Sequence, residues 1–335
     1  MSEPGPTIVI PVLNEVENIA DLLDDCAAQS LVPAEVVVVD AGSRDGTFEL
    51  LQERARRWPR LRVLSVPGAT PGRGRNEAIA RTSAPAVATL DAGSRVGSGW
   101  LAELAAALGD GSGRVCVGVA EADAHTPFER AAGWLTLTAF KPSDRAGPLG
   151  RPVTPAGRNG YCFSVEAWRL VGGYPPGLPW GEDKLFVERL RRLGFELMPV
   201  PAAAVRWRPR RNLRELYVQY ERYARGDAMA RSDLRNTLVT LALYGGGAAV
   251  TAAAKRRGGA ALLAPPLLAG SYLGLFVLSA RRELDDPRAL AWLPAIRVAA
   301  DLAKLHGFLR AATRPRTSVQ ARAPRPWSRL GGRHQ

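Results

Sequence analysis

Several common chemistries are absent from this chain of 335 residues. Its cysteines, Cys26, Cys116 and Cys162, are few, odd in number and widely separated. They form no CxxC pair and have no neighbouring histidine, which argues against a disulfide framework or a zinc site. His125, His306 and His334 are equally scattered. There is no GxxxxGK[ST] phosphate loop. Gly72-Arg73-Gly74 lacks the third glycine of a dinucleotide fingerprint and does not directly follow a strand pattern. Acids are also short, at 32 against 45 Lys and Arg, and none follows Asp301. A net charge of +13 favours a polyanionic partner: nucleic acid, an anionic membrane face or a phosphorylated substrate. Nucleic acid is the weakest of these, because no recognition helix, aromatic interleaving or zinc signature accompanies the basic residues. Met1 to Pro6 is short and polar, so no signal peptide opens the sequence and a reducing cytoplasmic compartment is expected.

Apolar residues make up 46% of the chain, enough for a large core. The first half alternates short apolar runs with helical periodicity. TIVIPV (Thr7 to Val12), EVVVVD (Glu35 to Asp40), LRVLSV and PAVATLD read as strands, the second of them buried. Between them lie helical patterns, such as Ile19, Leu22, Leu23 and Cys26. This βαβαβ order with continuous apolar strands predicts an α/β fold with a parallel sheet covered on both faces. Ligands of such sheets sit beyond the carboxyl ends of the strands. Asn14, Glu15, Asp40 and Asp91 all fall there, at three different strands, which points to one crevice. From Ala120 to Arg158 the pattern loosens into what reads as an acceptor loop.

The C-terminal third differs in character. Thr237 to Ala254 and Gly258 to Ala280 are apolar and are separated by Lys255-Arg256-Arg257. Their length and flanking charge predict a membrane-associated helical hairpin over 231–284, with Pro265-Pro266 kinking the second helix. An Ala-rich helical subdomain is the plainer alternative. Residues 285–312 read as an interfacial amphipathic helix and 313–335 as a basic, disordered tail suited to anionic lipid. Residues 1–230 then form the principal domain.

Two motifs, IPVLNE and VVVDAGSRDGT, resemble the nucleotide-binding half of the family 2 glycosyltransferases. Pro11, Asn14 and Glu15 match the first; Asp40, Gly42, Ser43, Asp45, Gly46 and Thr47 match the second. GRGRNEAIA, LDAG, YCFSVEAWRLVGGY, WGED and QYERYARGD extend the likeness over roughly Thr7 to Asp227. The resemblance implies a GT-A fold (Rossmann-like, with a mixed or parallel sheet flanked by helices) and a nucleotide-diphospho-sugar donor. Within that family, Asp40 and Glu15 are implied to contact base and ribose, and Arg75 and Asn76 to steady the diphosphate. Asp183 is the implied general base for inverting transfer, with Glu182 orienting it or the acceptor. Trp180, Gln219, Arg222, Tyr223 and Arg225 are implied to meet the acceptor and the leaving diphosphate. Residue by residue, plainer readings stay open: turn chemistry for Asp40 and Asp45, helix capping for Asn14. The Glu182-Asp183 pair could serve the helix dipole, Trp180 the core, and the Gln219–Arg225 face could simply be solvated.

The sequence also departs from the family pattern. Gly93 stands where a second metal-binding acid is usual, leaving Asp91 as the one ordinary ligand for Mg²⁺ or Mn²⁺. Arg206 or Trp207 takes the place of a customary histidine, and Tyr223 that of a tryptophan. Weak metal dependence is therefore expected, with Arg95, Arg206 and Arg208 offsetting the diphosphate charge. The leading expectation is an inverting glycosyltransferase acting on a glycan or lipid-linked acceptor. It would sit on an anionic cell membrane with its catalytic domain cytoplasmic. The alternative is a GT-A-like nucleotide- or glycan-binding protein without turnover.

Overall fold

The apolar runs of the first half build a sheet with two covered faces. The computed structural model describes residues 5–111, 113–138, 160–230 and 234–313. These form two compact units, one of residues 5–121 and 160–207, the other of residues 122–138 and 208–313.

In the first unit, β1 (Thr7–Val12), β2 (Val36–Asp40), β3 (Leu61–Ser65) and β4 (Ala86–Thr89) are parallel, in spatial order β3-β2-β1-β4. The sheet continues through β7 (Tyr161–Ser164), β6 (Arg114–Ala122), β8 (Glu196–Trp207) and β5 (Ser94–Val96). Here β7 runs antiparallel to β4 and β6, and β5 to β8, so the sheet is mixed. Period-2 alternation divides each strand between the faces. Ile8, Ile10, Val12, Val36 and Val38 join one core with α1 (Ile19–Ala27) and α4 (Trp100–Leu108). Val9, Val37 and Val39 join the other with α3 (Pro71–Ile79), α6 (Val165–Leu170) and α7 (Glu182–Arg192). Between β2 and β3 lies α2 (Thr47–Arg57). The register pairs Val12 with Asp40, so the loops after β1 and β2 leave the sheet side by side.

The second unit is helical: α5 (Pro127–Thr138), α8 (Leu213–Ala230), α9 (Leu234–Arg257), α10 (Ala264–Ala280) and α11 (Pro287–Ala312). Its core joins Phe128, Ala131 and Leu135 of α5 with Leu216 and Tyr220 of α8 and Leu293 and Ile296 of α11. This moves the boundary read from sequence at 230, because α5 and α8 belong to the helical unit. The first part of the expected acceptor loop is the end of β6, a turn and α5; its remainder, 139–158, lies outside the described residues, as does the basic tail from 314. Helix α11 differs from the interfacial helix expected, since Ala289, Leu293, Ile296, Ala300 and Ala303 are buried in the unit's core. A methyl group on Gly307 would overlap the carbonyl of Glu221, so α11 and α8 cross at close range. The proline pair does not kink its helix. Pro265 and Pro266 sit in the first turn of α10, where a missing N–H costs nothing, after a 3₁₀ turn at Gly259–Leu263. Thr237–Arg257 and Gly259–Ala280 are long and apolar enough to cross a membrane, and almost none of either is buried in the protein.

Candidate active site

The motifs after β1 and β2 fold into one stitched platform. Asn14 has φ 56°, a left-handed conformation that asparagine tolerates better than most residues. Its Oδ1 accepts from the Arg44 N–H at 2.8 Å, and its own N–H donates to Ser43 Oγ at 2.8 Å. The Glu15 N–H donates to Thr47 Oγ1 at 2.9 Å, and the Val16 N–H to Asp45 Oδ2 at 3.1 Å. Asp45 Oδ1 also accepts from the Thr47 hydroxyl at 2.6 Å and the Thr47 N–H at 3.1 Å. These bonds, led by the Thr47 hydroxyl, hold the Asp45 carboxyl below its ordinary value. Asp40, buried at the end of β2, accepts from the N–H groups of Gly42 at 2.9 Å and Ser43 at 3.2 Å. Gly42 and Gly46 are left-handed, at φ 97° and 96°, which lets the loop double back into α2. The turn chemistry left open for Asp40 and Asp45 is thus present. Asn14 ties the two loops together and caps no helix. Glu15 Oε2 accepts from Asn18 Nδ2 at 2.8 Å.

Beside this platform, Arg75 joins two strand- and helix-end acids. It lies in the second turn of α3, whose first turn is set by Thr70 and Pro71. Its Nη2 meets Asp91 Oδ1 at 2.6 Å and its Nη1 meets Glu182 Oε1 at 2.6 Å. The Arg75 and Glu182 side chains are only 4% and 7% exposed, whereas Asp91 is 44% exposed. The guanidinium lies 5.4 Å from the Tyr174 ring centroid, and Tyr174 stacks on Phe186 at 4.0 Å. Burial opposes the charge on Arg75, but Asp91 and Glu182 outweigh it and hold the group firmly protonated. Burial pushes the Glu182 carboxyl up to about 7; Arg75 works against that shift and Asp183 adds to it. Gly72 makes the approach feasible, since a methyl there would come within 2.8 Å of the Pro175 carbonyl and 3.0 Å of Glu182 Cγ. Pro11 of β1 packs under Gly74 of the same helix.

Residues 7–166 match the sequence model of glycosyl transferase family 2. Over 240 residues the chain is 30% identical to the succinoglycan biosynthesis protein ExoA of Rhizobium meliloti (strain 1021), covering 68% of this chain and 70% of that one. A shorter match, 33% identical over 102 residues, is to glycosyltransferase AglE of Haloferax volcanii, 29% of this chain and 33% of that one. The fold is shared with a mannosyltransferase from Pyrobaculum calidifontis, solved with GDP-Man and Mn²⁺. That match has a TM-score of 0.61 and 21% identity, over 91% of this chain and 88% of that one. The chain belongs to glycosyl transferase family 2.

As a family 2 glycosyltransferase of GT-A fold, it places its acid pair at the start of α7, after the left-handed Gly181. Glu182 is buried on Arg75, whereas Asp183 is half-buried and its charge acts on Arg75, Tyr161 and Tyr174. Trp180 is half-buried just before them. Asn76 departs from its expected role at the diphosphate. Its Oδ1 accepts from Trp168 Nε1 at 2.9 Å and the Tyr174 N–H at 2.8 Å, while its Nδ2 donates to the Tyr174 carbonyl at 2.8 Å. It therefore pins the Trp168–Tyr174 turn. The Val-Gly-Gly-Tyr that makes this turn, with Gly173 at φ 77°, was the sequence signal for it.

Arg95 also departs from expectation. It binds Asp25 at 2.6 and 2.9 Å and Asp21 at 2.9 Å, both on α1. Arg206 pairs in register with Arg95 across β5 and β8, and Arg208 meets Glu129 at 3.1 Å. The arginine at Asp91 is Arg75. For a resident divalent ion the fit is poor: Arg75 occupies Asp91 Oδ1, and Gly93 offers no side-chain oxygen. Among the described residues no three His, Cys, Asp or Glu side chains converge. Gly93 has open space around it, so packing does not account for the missing acid.

Gln219, Arg222, Tyr223 and Arg225 all lie on α8, in the helical unit. Gln219 is buried; its Oε1 accepts from Arg210 Nε at 2.8 Å and its Nε2 donates to Tyr223 Oη at 2.9 Å. Arg225 and Arg310 flank the buried Glu221 at 3.7 and 3.3 Å. Arg222 is exposed.

Proposed function

We propose that this glycosyltransferase moves a sugar, with inversion, from a nucleotide-diphospho-sugar to a hydroxyl of a glycan or lipid-linked acceptor in polysaccharide synthesis. The observation that carries this reading is Arg75, which joins the acid after β4 to the acid pair that opens α7. The stitched loops after β1 and β2 offer Glu15 and the Asp40 turn to the nucleoside. Asp183 is the base: it is half-exposed beside the cluster, whereas Glu182 is buried and bound to Arg75. As the acceptor oxygen bonds to the anomeric carbon, the bond from that carbon to the diphosphate breaks. The hydroxyl proton moves to Asp183 and the nucleoside diphosphate departs. Asp91 would be the one side-chain carboxylate to hold a Mg²⁺ or Mn²⁺ ion brought by the donor diphosphate, and such an ion would offset leaving-group charge. Glu182 and Arg75 act by position, holding the start of α7 against α3. Gln219, Arg222, Tyr223 and Arg225 are proposed to meet the acceptor and diphosphate. The exposed apolar helices α9 and α10 and the excess of basic residues support attachment to an anionic cell membrane, with the sheet unit on its cytoplasmic side.

Asp183→Asn tests the assignment of the base. Loss of a positioned base slows transfer by about a hundredfold to ten-thousandfold, with the dissociation constant of the donor changed little. An Asp183→Asn enzyme that turns over at the wild-type rate would sink the assignment.

A further inference from the structure

We infer that the hairpin of α9 and α10 lies in the headgroup region of one anionic leaflet, with its tip on the same side as its two ends, and does not cross the bilayer. The inference rests on the membrane association proposed above and gives it a geometry.

The first observation is a polar clasp inside the helical unit. Asp301 of α11 is fully buried and its Oδ2 accepts from Tyr272 Oη at 2.6 Å, Tyr244 Oη at 3.3 Å and Arg297 Nε at 2.9 Å. Arg297 Nε also lies 2.6 Å from Tyr272 Oη, and its guanidinium stands 5.1 Å from the Phe276 ring centroid. Tyr244 and Tyr272 sit near the middles of α9 and α10, so the clasp ties both apolar helices to α11 halfway along their lengths. Helix α11 in turn packs on α8, where Glu221 meets Arg225 of the same helix and Arg310 of α11. That polar assembly belongs at the water-facing edge of a membrane, the level that tyrosine hydroxyls favour.

Beyond the clasp too little helix remains. At 1.5 Å per residue, Gly245 to Arg257 extends about 20 Å and Ala264 to Ser271 about 12 Å, to which the 3₁₀ turn Gly259–Leu263 adds about 10 Å. The hydrocarbon core is about 30 Å thick. An upright arm would leave the exposed Lys255, Arg256 and Arg257 near the bilayer centre, where charge is costly. Lying in the interface resolves both conflicts. The tip charges then meet lipid phosphates, while the exposed Leu262, Leu263, Leu267 and Leu268 enter the acyl region. Charge complementarity agrees, because no acid occurs from Leu234 to Arg282 while Lys255, Arg256, Arg257, Arg281 and Arg282 do.

Cysteine accessibility in the full chain tests the placement, because the three native cysteines are buried. Arg57→Cys marks the side of the sheet unit and Arg256→Cys marks the tip. A membrane-impermeant maleimide should label both in inside-out vesicles and neither in spheroplasts. Labelling of Arg256→Cys from the opposite side, or from neither side, overturns the one-leaflet placement while leaving membrane association standing. Sedimentation with vesicles of phosphatidylglycerol and phosphatidylcholine, against phosphatidylcholine alone, tests the association itself. Binding should require the anionic lipid and fall about a hundredfold in a triple variant, Lys255→Gln, Arg256→Gln and Arg257→Gln. A chain that binds neither vesicle and covers its apolar helices as a dimer overturns both readings.

Discussion

Replacing Arg75 by methionine removes the cation that meets both Asp91 and Glu182, and the two acids should respond differently. Asp91 is 44% exposed, so its carboxylate rehydrates and its lost pair costs under about 1 kcal/mol. Glu182 is buried and would be left as an uncompensated charge, a change that costs about 3–5 kcal/mol when a buried pair is broken. The penalty depends on pH. With its folded value raised to about 7 from 4.5, Glu182 contributes stability below its unfolded value that is lost as pH rises through about 7. Without Arg75 the folded value rises further. The Arg75→Met variant should therefore lose about 3–5 kcal/mol at pH 8. At pH 5, where Glu182 is protonated, it should lose only about 1–2 kcal/mol for the missing hydrogen bonds. Urea unfolding followed by tryptophan fluorescence at both pH values measures this. Adding Glu182→Gln should restore most of the loss at pH 8, because no charge is then buried; adding Asp91→Asn should not. A pH-independent loss, or equal rescue by both second substitutions, would refute the reasoning.

Three further outcomes are expected. Asn14→Ala should lose about 1–3 kcal/mol, from backbone strain at φ 56° and the bond to the Arg44 N–H. Asn14→Gly should recover the conformational part in the same unfolding assay. Gly307→Ala should lose about 1–3 kcal/mol by forcing α11 away from the Glu221 carbonyl, read as a fall in the melting temperature of the full chain. Calorimetric titration of the nucleotide-free enzyme with Mn²⁺ should show no binding in the micromolar range. Binding should appear once a nucleoside diphosphate supplies the missing oxygens; micromolar binding by the free enzyme would show a ligand set that one carboxylate cannot explain.

The strand-end motifs were legible because their residues act locally. Asp40 and Asp45 bond backbone groups two and three residues on, and Gly42 and Gly46 supply the positive φ that these turns need. The apolar runs were legible because a strand buried on both faces has no polar position to spare. Arg75 was legible as a cation near the donor, but its partners lie 16 and 107 residues away, and no local pattern pairs them. The same limit hid the role of Asn76, whose partners come from the Trp168–Tyr174 turn.

Sequence alone therefore determined the α/β class, the family and the turns at Asp40 and Asp45, since each rests on short-range geometry or unbroken periodicity; the bonds that stitch the loops after β1 and β2 join residues 29–32 apart. Tertiary structure decided where the arginines go: Arg95, expected at the leaving diphosphate, is held by Asp21 and Asp25, and α3 brings Arg75 to Asp91. It also turned a presumed surface helix, α11, into the core of a helical unit. In sequence an amphipathic face says only that something apolar will cover it. Here α5 and α8, contributed by distant segments of the chain, do so.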